Sequence, residues 1–302
     1  VTLSGSPTLT TTDTLVSFDG DVSGAGALTV ASGTGGVTFG STVGNAVNIT
    51  SLDTTGTTGN ITLTGNLDSD GTVLFNGPVL LAADATITTS DDLVTFSSTL
   101  NNAQNLVVTT GSGGVTFTGI VGGSTPLTSI LTTGTTGTIT LGANVNTTGA
   151  QDYVGPVSFN SDIALNVTGG TDSDDVSFGD TVTSTADSLD INVAGSGDVT
   201  FGDGSGTDTV SGINALTVDG NAITVNTPVS ATSIVFQGAN SSGDQLTIAS
   251  GGSLSATGLV TIGAAHDTTE IETIGLSGNI TSDSDSSGTV SYTHLRAHET
   301  QR

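Results

Sequence analysis

The sequence predicts an all-β fold, a right-handed parallel β-helix (β-solenoid) built from rungs of about 21 residues. Three observations carry this expectation. All nine phenylalanines sit in one local pattern: a β-branched residue, any residue, then Phe. The units recur about every 21 residues, as from Phe18 to Phe39, Phe75 to Phe96 and Phe96 to Phe117. A longer period lies above that one, because GTGGVTF at 33–39 returns as GSGGVTF at 111–117, an offset of 78.

The strand units are Val16-Ser-Phe18, Val37-Thr-Phe39, Val73-Leu-Phe75, Val94-Thr-Phe96, Val115-Thr-Phe117, Val157-Ser-Phe159, Val176-Ser-Phe178, Val199-Thr-Phe201 and Ile234-Val-Phe236. Spacing two puts the aliphatic residue and the Phe on one face of a strand, with Thr or Ser on the other. In seven of the nine another aliphatic follows four residues after the Phe: Val22, Val43, Val79, Leu100, Val121, Ile163 and Val182. Two further units, Ile61-Thr-Leu63 with Leu67 and Ile139-Thr-Leu141 with Val145, carry Leu in place of Phe. Gly, Asn and Asp between units supply the turns. No window holds a 3.6-residue apolar period with capped ends, so helix is not expected.

Self-similarity extends beyond the Phe units. GSGDVTF at 195–201 is a third copy of the first motif, and TTGTTGNITLTGN at 54–66 returns as TTGTTGTITLGAN at 132–144, again 78 later. Residues 1–289 therefore read as one repetitive solenoid, with super-repeats near 33–110, 111–194 and 195–289. In such a stack each strand pairs with its equivalents above and below at about 4.8 Å. Phe39 and its counterparts are expected to form an internal ladder, with Thr and Ser ladders outside. A row of immunoglobulin-like sandwiches is the competing architecture. Unlike strands in each sandwich would leave the 21-residue period unexplained.

Composition fits a body held by burial and backbone hydrogen bonds. The net charge is −26, and residues 1–289 carry 27 acidic groups against no Lys or Arg. Such a surface is repelled by phosphate backbones and anionic membranes, so a nucleic-acid partner is not expected. Hydrophobic residues make up 34% and mean hydropathy is +0.18, which argues against a solvated coil. Cysteine is absent, so neither disulfides nor thiolate metal sites exist. No stretch approaches the run of about 18 apolar residues that a membrane span needs. Neither an N-terminal Met nor a signal peptide is visible, and Val1 reads as a cut in a longer chain.

The run GGVTFTGIVGGSTPLTSILTTGTTGTITLGANVNTTGAQDYVGPVSFNSDIALNVTG, 113–169, resembles the repeats of bacterial filamentous-haemagglutinin-like large exoproteins, the β-strand-repeat adhesins. The same texture covers roughly residues 12–289. The resemblance implies a fragment of a secreted or surface-displayed fibrous β-helix serving adhesion or biofilm formation. Its expected place is extracellular or on the cell surface. Its expected partners are host or matrix glycans, cell-surface components, and the rest of its own long chain at both ends.

The ending, VSYTHLRAHETQR, differs from everything before it. Both basic residues, Arg296 and Arg302, and two of three histidines, His294 and His298, lie there. The stretch SYTHLRAHET resembles one reading frame of the transposon-end adapter used in sequencing libraries. Residues 290–302 are accordingly expected to be a non-native tail without function.

The body offers little chemistry. His266 is its single histidine, and no Ser-His-Asp or Cys-based set can be drawn from spacing. Since β-helices include polysaccharide lyases and hydrolases, the pairs Asp91-Asp92 and Asp174-Asp175 are the candidates for acid–base work on a glycosidic bond. Neighbours on a strand point to opposite faces, however, and both pairs precede a Val-x-Phe unit, a place that suits turns. No basic residue is present to hold an acidic substrate. The chain is therefore not expected to be an enzyme, and no catalytic residue or cofactor is assigned. Calcium is the one ion considered, with Asp68, Asp70, Asp172 and Asp174 as candidate ligands among turn oxygens. Their spacing matches neither the EF-hand loop nor the GGxGxDxUx roll.

Overall fold

The computed structural model describes residues 1–239, 243–263, 271, 273–282 and, for backbone alone, 290–292. Among them there is no helix, and every strand pairing is parallel. The fold is a β-solenoid with rungs about 23 residues apart. By internal contacts the chain divides into two compact units, Val1–Phe159 and Asn160–Arg302.

The first unit runs round three sides. One side stacks Thr8–Thr10, Ala27–Ala31, Ser51–Asp53, Val73–Phe75, Val94–Phe96, Val115–Phe117, Ile139–Leu141 and Val157–Phe159. The second stacks Val16–Phe18, Val37–Phe39, Ile61–Leu63, Val79–Leu81 and Leu100–Asn101, and continues through single bridges to Val121 and Val145. The third begins with the bridges of Val43 to Val22 and to Leu67. It continues through Leu67–Ser69, Ala85–Thr89, Asn105–Thr109, Ser129–Thr132 and Gln151–Tyr153.

Local chemistry sets the length of a coil. Each side presents two inward residues, i and i+2, as in Val94 and Phe96, which are buried while Thr95 between them is half-exposed. The next inward residue, Leu100, stands four positions on, after a three-residue corner. A side with its corner takes about seven residues, so three sides close in about 21. Val94 accordingly pairs with Val115. Coils containing the TTGTTG corner are longer, pairing Val37 with Ile61, and the tightest pair Ile61 with Val79.

The expected single Phe ladder is instead several short ones. Phe18 stacks on Phe39 on the second side, with ring centroids 5.3 Å apart, and Leu63 and Leu81 continue the row. Phe75, Phe96 and Phe117 stack on the first side at 5.1 Å, followed by Leu141 and Phe159. These spacings match the rise of a parallel sheet, and stacked rings hold their coils in register. In the second unit Phe178 stacks on Phe201 at 5.4 Å, above Val225.

This arrangement explains the 78-residue repeat. Between Val37 and Val115 the chain traverses eleven sides, three and two-thirds coils. Motifs of the same sequence therefore occupy neighbouring sides rather than the same one. Val37–Phe39 lies on the second side and Val115–Phe117 on the first; Val73–Phe75 lies on the first and its counterpart Gln151–Tyr153 on the third. The Val-x-Phe unit serves on either side because it supplies two inward apolar residues in both places.

The second unit keeps three sides but loosens the coil. One side stacks Ile163–Val167 and Leu189–Val193, then the ends of Val210–Asp219 and Pro228–Gln237, then Val260–Ile262. Another stacks Val176–Phe178, Val199–Phe201, Ala222–Val225, Gln245–Ile248 and Thr273–Leu276. The two ten-residue strands carry the chain around a corner without a break. Their register shifts between Val210 and Ile213, a β-bulge containing Gly212 at φ +74°. A Cβ there would lie 2.0 Å from the Ser184 carbonyl oxygen, so only glycine fits.

Within the stretch read as a tail, Val290–Tyr292 forms a strand paired with Val260–Ile262, with Tyr292 opposite Ile262. Its Val-Ser-Tyr thus holds the place of a Val-x-Phe unit. His266, His294, Arg296, His298 and Arg302 lie outside the described residues.

Candidate functional site

The polar groups concentrate at the corners, and most are engaged with the next coil. Asp13 Oδ1 accepts the backbone N–H of Thr34 at 2.8 Å and its hydroxyl at 3.0 Å. Seventy-eight residues on, Asp91 Oδ1 accepts the N–H of Ser112 at 2.9 Å and its hydroxyl at 3.3 Å. Both aspartates sit at positive φ, 57° and 70°, a conformation that Asp tolerates in turns. The same cross-coil bond joins Asp84 to the Asn105 N–H (2.8 Å), Asp162 to that of Ser188 (2.7 Å) and Asn66 to that of Thr86 (2.9 Å). In the second unit Asp175 takes the Asp198 N–H at 2.8 Å, and Asp198 in turn takes that of Ala222 at 2.9 Å.

These donors set the acidity of the corner carboxyls. Thr34 holds Asp13 below the usual carboxylate range, and Asn105 does the same for Asp84. Asp21 is drawn down to about 2 by the side chains of Ser41, Asn45 and Thr42. Burial works the other way. It raises Asp175, reinforced by the charges of Asp198, Asp174 and Asp172, and raises Asp208, reinforced by Asp180 and Asp203. Asp219 is pushed up to about 6 by burial and then by Asp244 and Asp190.

Corner threonines turn inward. Thr57 and Thr135, 78 residues apart, are both buried. Thr135 Oγ1 donates to the Val108 carbonyl at 3.4 Å and accepts the Thr110 N–H at 3.3 Å; Thr57 serves Val30 and Ser32 in the same way. The Thr-Thr-Gly-Thr-Thr-Gly motif is therefore an internal corner brace, with a glycine at positive φ.

The candidate pairs do not form a paired-carboxylate cleft. Asp91 is committed to Ser112, and Asp174 Oδ2 accepts the Thr171 N–H at 2.8 Å and hydroxyl at 2.7 Å within its own turn. Of the calcium candidates, Asp70 Oδ1 accepts the Asn48 amide at 2.8 Å, and Asp68 lies on the outer face of Leu67–Ser69. Asp68 and Asp70 belong to the first unit, Asp172 and Asp174 to the second. No group of three or more His, Cys, Asp or Glu side chains suited to a metal comes together among the described residues. A groove of about 640 Å³ lies beside the first coil, where Leu3, Pro7, Leu9, Phe18 and Leu28 line it with Ser and Thr hydroxyls. No acid or base side chain reaches it.

Three features escape a reading by Val-x-Phe units. Tyr153 is fully buried, its hydroxyl donating to Gln151 Oε1 at 3.1 Å, while Gln151 Nε2 donates to the Val145 carbonyl and Thr147 hydroxyl at 3.2 Å. Burial raises the Tyr153 hydroxyl far above its ordinary value. Its signal is the 78-residue offset from Phe75, disguised by Gln151 in place of Val. Asp208 and Asp244 are also buried. Nothing in a chain this rich in turn aspartates singles them out.

Comparison with family models, with curated proteins and with solved structures gives no match.

Proposed function

We propose that this chain is a structural or adhesive segment of a secreted or surface-displayed repetitive bacterial exoprotein, acting through its repeated surface rather than a cleft. The observation that supports the reading is the use made of its carboxylates. Asp13, Asp84, Asp91, Asp162, Asp175 and Asp198 each bind a backbone N–H of the following coil. An enzyme instead gathers perturbed carboxyls about a cavity that admits substrate. The partners that suit the reading are neutral glycans, matrix components and cell surfaces, since anionic polymers are repelled.

A polysaccharide-acting enzyme is the second reading, favoured by one observation. Asp175 is raised by burial among Asp198, Asp174 and Asp172, as a general acid would be.

The test incubates the folded chain with acidic and neutral polysaccharides and scores retention and cleavage together. Retention without cleavage, declining stepwise as coils are removed, is the expected result. New reducing ends or unsaturated products, abolished by Asp174→Asn or Asp175→Asn, would establish the enzyme instead. Repeating the assay with calcium and with a chelator separates direct adhesion from cation bridging, in which Asp68, Asp70, Asp172 and Asp174 serve as oxygen donors.

A further inference from the structure

One corner of the second unit is built unlike the others. Asp219 ends a ten-residue strand, paired with Asn192 on one side and Gln237 on the other. Its Oδ1 is shut from solvent with no hydrogen-bond donor. On the following coil Gly238 comes directly after Gln237, and Asp244 Oδ2 lies 2.2 Å from where a Cβ on Gly238 would stand. The absence of that Cβ is what lets the Asp244 carboxyl, itself fully buried, fold into the corner. Asp190 stands on the preceding strand, Leu189–Val193. Asp198 is close by, accepting from Asn221 Nδ2 at 3.0 Å and from the Ala222 N–H at 2.9 Å. Among the described residues Lys, Arg and His are absent from these elements, and the charges that raise Asp219 are those of Asp244 and Asp190.

We propose that Asp219 and Asp244 form a proton-operated latch between coils, closed when Asp219 is a carboxylic acid and loosened when both groups are ionised. Ionised Asp219 meets the repulsion of Asp244 in a partly dry corner, with no donor to its Oδ1 among the described residues. Protonation removes that charge and gives Asp219 an O–H to donate. The corner leads directly into Gln245–Ile248, so loosening it frees the junction of two sides. Asp219 titrates near 6 instead of at its ordinary 3.8, which places the change in mildly acidic surroundings. Because the folded chain holds this proton more tightly than the unfolded chain, the stabilisation is full below 3.8. It is lost as pH rises through about 6.

The test is hydrogen exchange on the full chain, corrected for intrinsic rates. The Asn221 N–H, bonded to the Gly197 carbonyl at 2.9 Å, and the Gln245 N–H, bonded to that of Asn221 at 2.8 Å, report the corner. Their protection should fall at least about tenfold from pH 5 to pH 7.5, as one unit of proton affinity is tenfold. Asp219→Asn, which imitates the protonated acid, should keep the acid-state protection at pH 7.5. An equal pH response in Asp219→Asn and the parent would overturn the latch. Direct carboxyl NMR titration of the unmutated chain keeps the proposal testable should the variant fold poorly. A midpoint for Asp219 in the ordinary carboxylate range would sink it, whereas one near 6 that drops in Asp244→Asn is the expected result.

Discussion

The Asp91 carboxylate accepts the N–H of Ser112 at 2.9 Å, one coil further on, as Asp13 accepts that of Thr34 at 2.8 Å. The two bonds are equivalent in sequence but occupy different corners of the first unit, one entering the second side and the other the first. A chain without basic residues in its body thus finds partners for its acids in backbone amides. The abundance of Asp is a consequence of the corners, since a carboxylate can tolerate positive φ and accept two donors from the next coil.

The first prediction concerns facing. Phe117 is buried between Phe96 and Leu141, whereas Thr116 beside it is half-exposed. Phe117→Ala should cost about 3–5 kcal/mol in urea unfolding, the usual range for a buried aromatic. Thr116→Ala should cost little. Similar small losses at both positions would contradict the packing.

Thr135 tests the internal brace. Its hydroxyl satisfies both the Thr110 N–H and the Val108 carbonyl in a buried corner. Thr135→Val keeps the shape and strands both groups, so it should cost about 1–3 kcal/mol. Thr133→Val, at an exposed place two residues before, serves as the control. A loss confined to Thr135 is expected. A silent Thr135→Val would mean that water replaces the hydroxyl.

Much of this was legible in the sequence, and what was not has a physical reason. Val94, Phe96 and Leu100 reveal a side, a three-residue corner and the next side, because inward positions must be apolar at spacings two and four. Which side a given Phe faces is not encoded so locally. All three sides impose the same rule, and the answer depends on the summed length of preceding corners. Excursions such as 44–48, where Val43 and Ile49 both bridge to Leu67–Ser69, shift every later strand. Thr57, Thr135 and Gln151 were illegible for another reason. Polar residues are expected outside, and only the cross-coil bonds show why these point inward.

Acid should affect the two units differently. In the first, Asp13, Asp21 and Asp84 are lowered, so their contribution is present above the unfolded value of 3.8. It disappears as pH falls through the folded values, about 2 for Asp21. In the second unit Asp203 is lowered by Ser205, but Asp175, Asp208 and Asp219 are raised, so their corners gain on acidification toward 3.8. Hydrogen exchange at pH 7, 4 and 2 should show corner amides such as Thr34 and Asn105 weakening only in the last step. Amides around Ala222 should strengthen in the first. Parallel behaviour of both sets would point to overall charge repulsion as the dominant effect.

The last prediction uses the mismatch between sequence repeat and coil. Residues 37–114 span 78 positions, and their removal joins Gly36 to Val115. The junction then reads Thr34-Gly35-Gly36-Val115-Thr116-Phe117, nearly the native Ser112-Gly113-Gly114-Val115-Thr116-Phe117. Val115–Phe117 would leave the first side and dock on Val16–Phe18, with Phe117 over Phe18 as Phe39 is now. Ile139 and Val157 would follow as Ile61 and Val79 do, because the pairings that link them have the same spacing. Asp13 would keep its bond to Thr34. The shortened chain should therefore fold cooperatively even though every later strand of the first unit has moved to a neighbouring side. Removing Val73–Leu93, one whole coil, leaves each strand on its own side and should also be tolerated. Removing one residue more or fewer than 78 puts Val115 and Phe117 out of register with Val16 and Phe18 at the junction and should destabilise the fold. Circular dichroism and urea unfolding of the variants decide the matter. A stable one-coil excision beside an unfolded 78-residue excision would show that the three sides are not interchangeable.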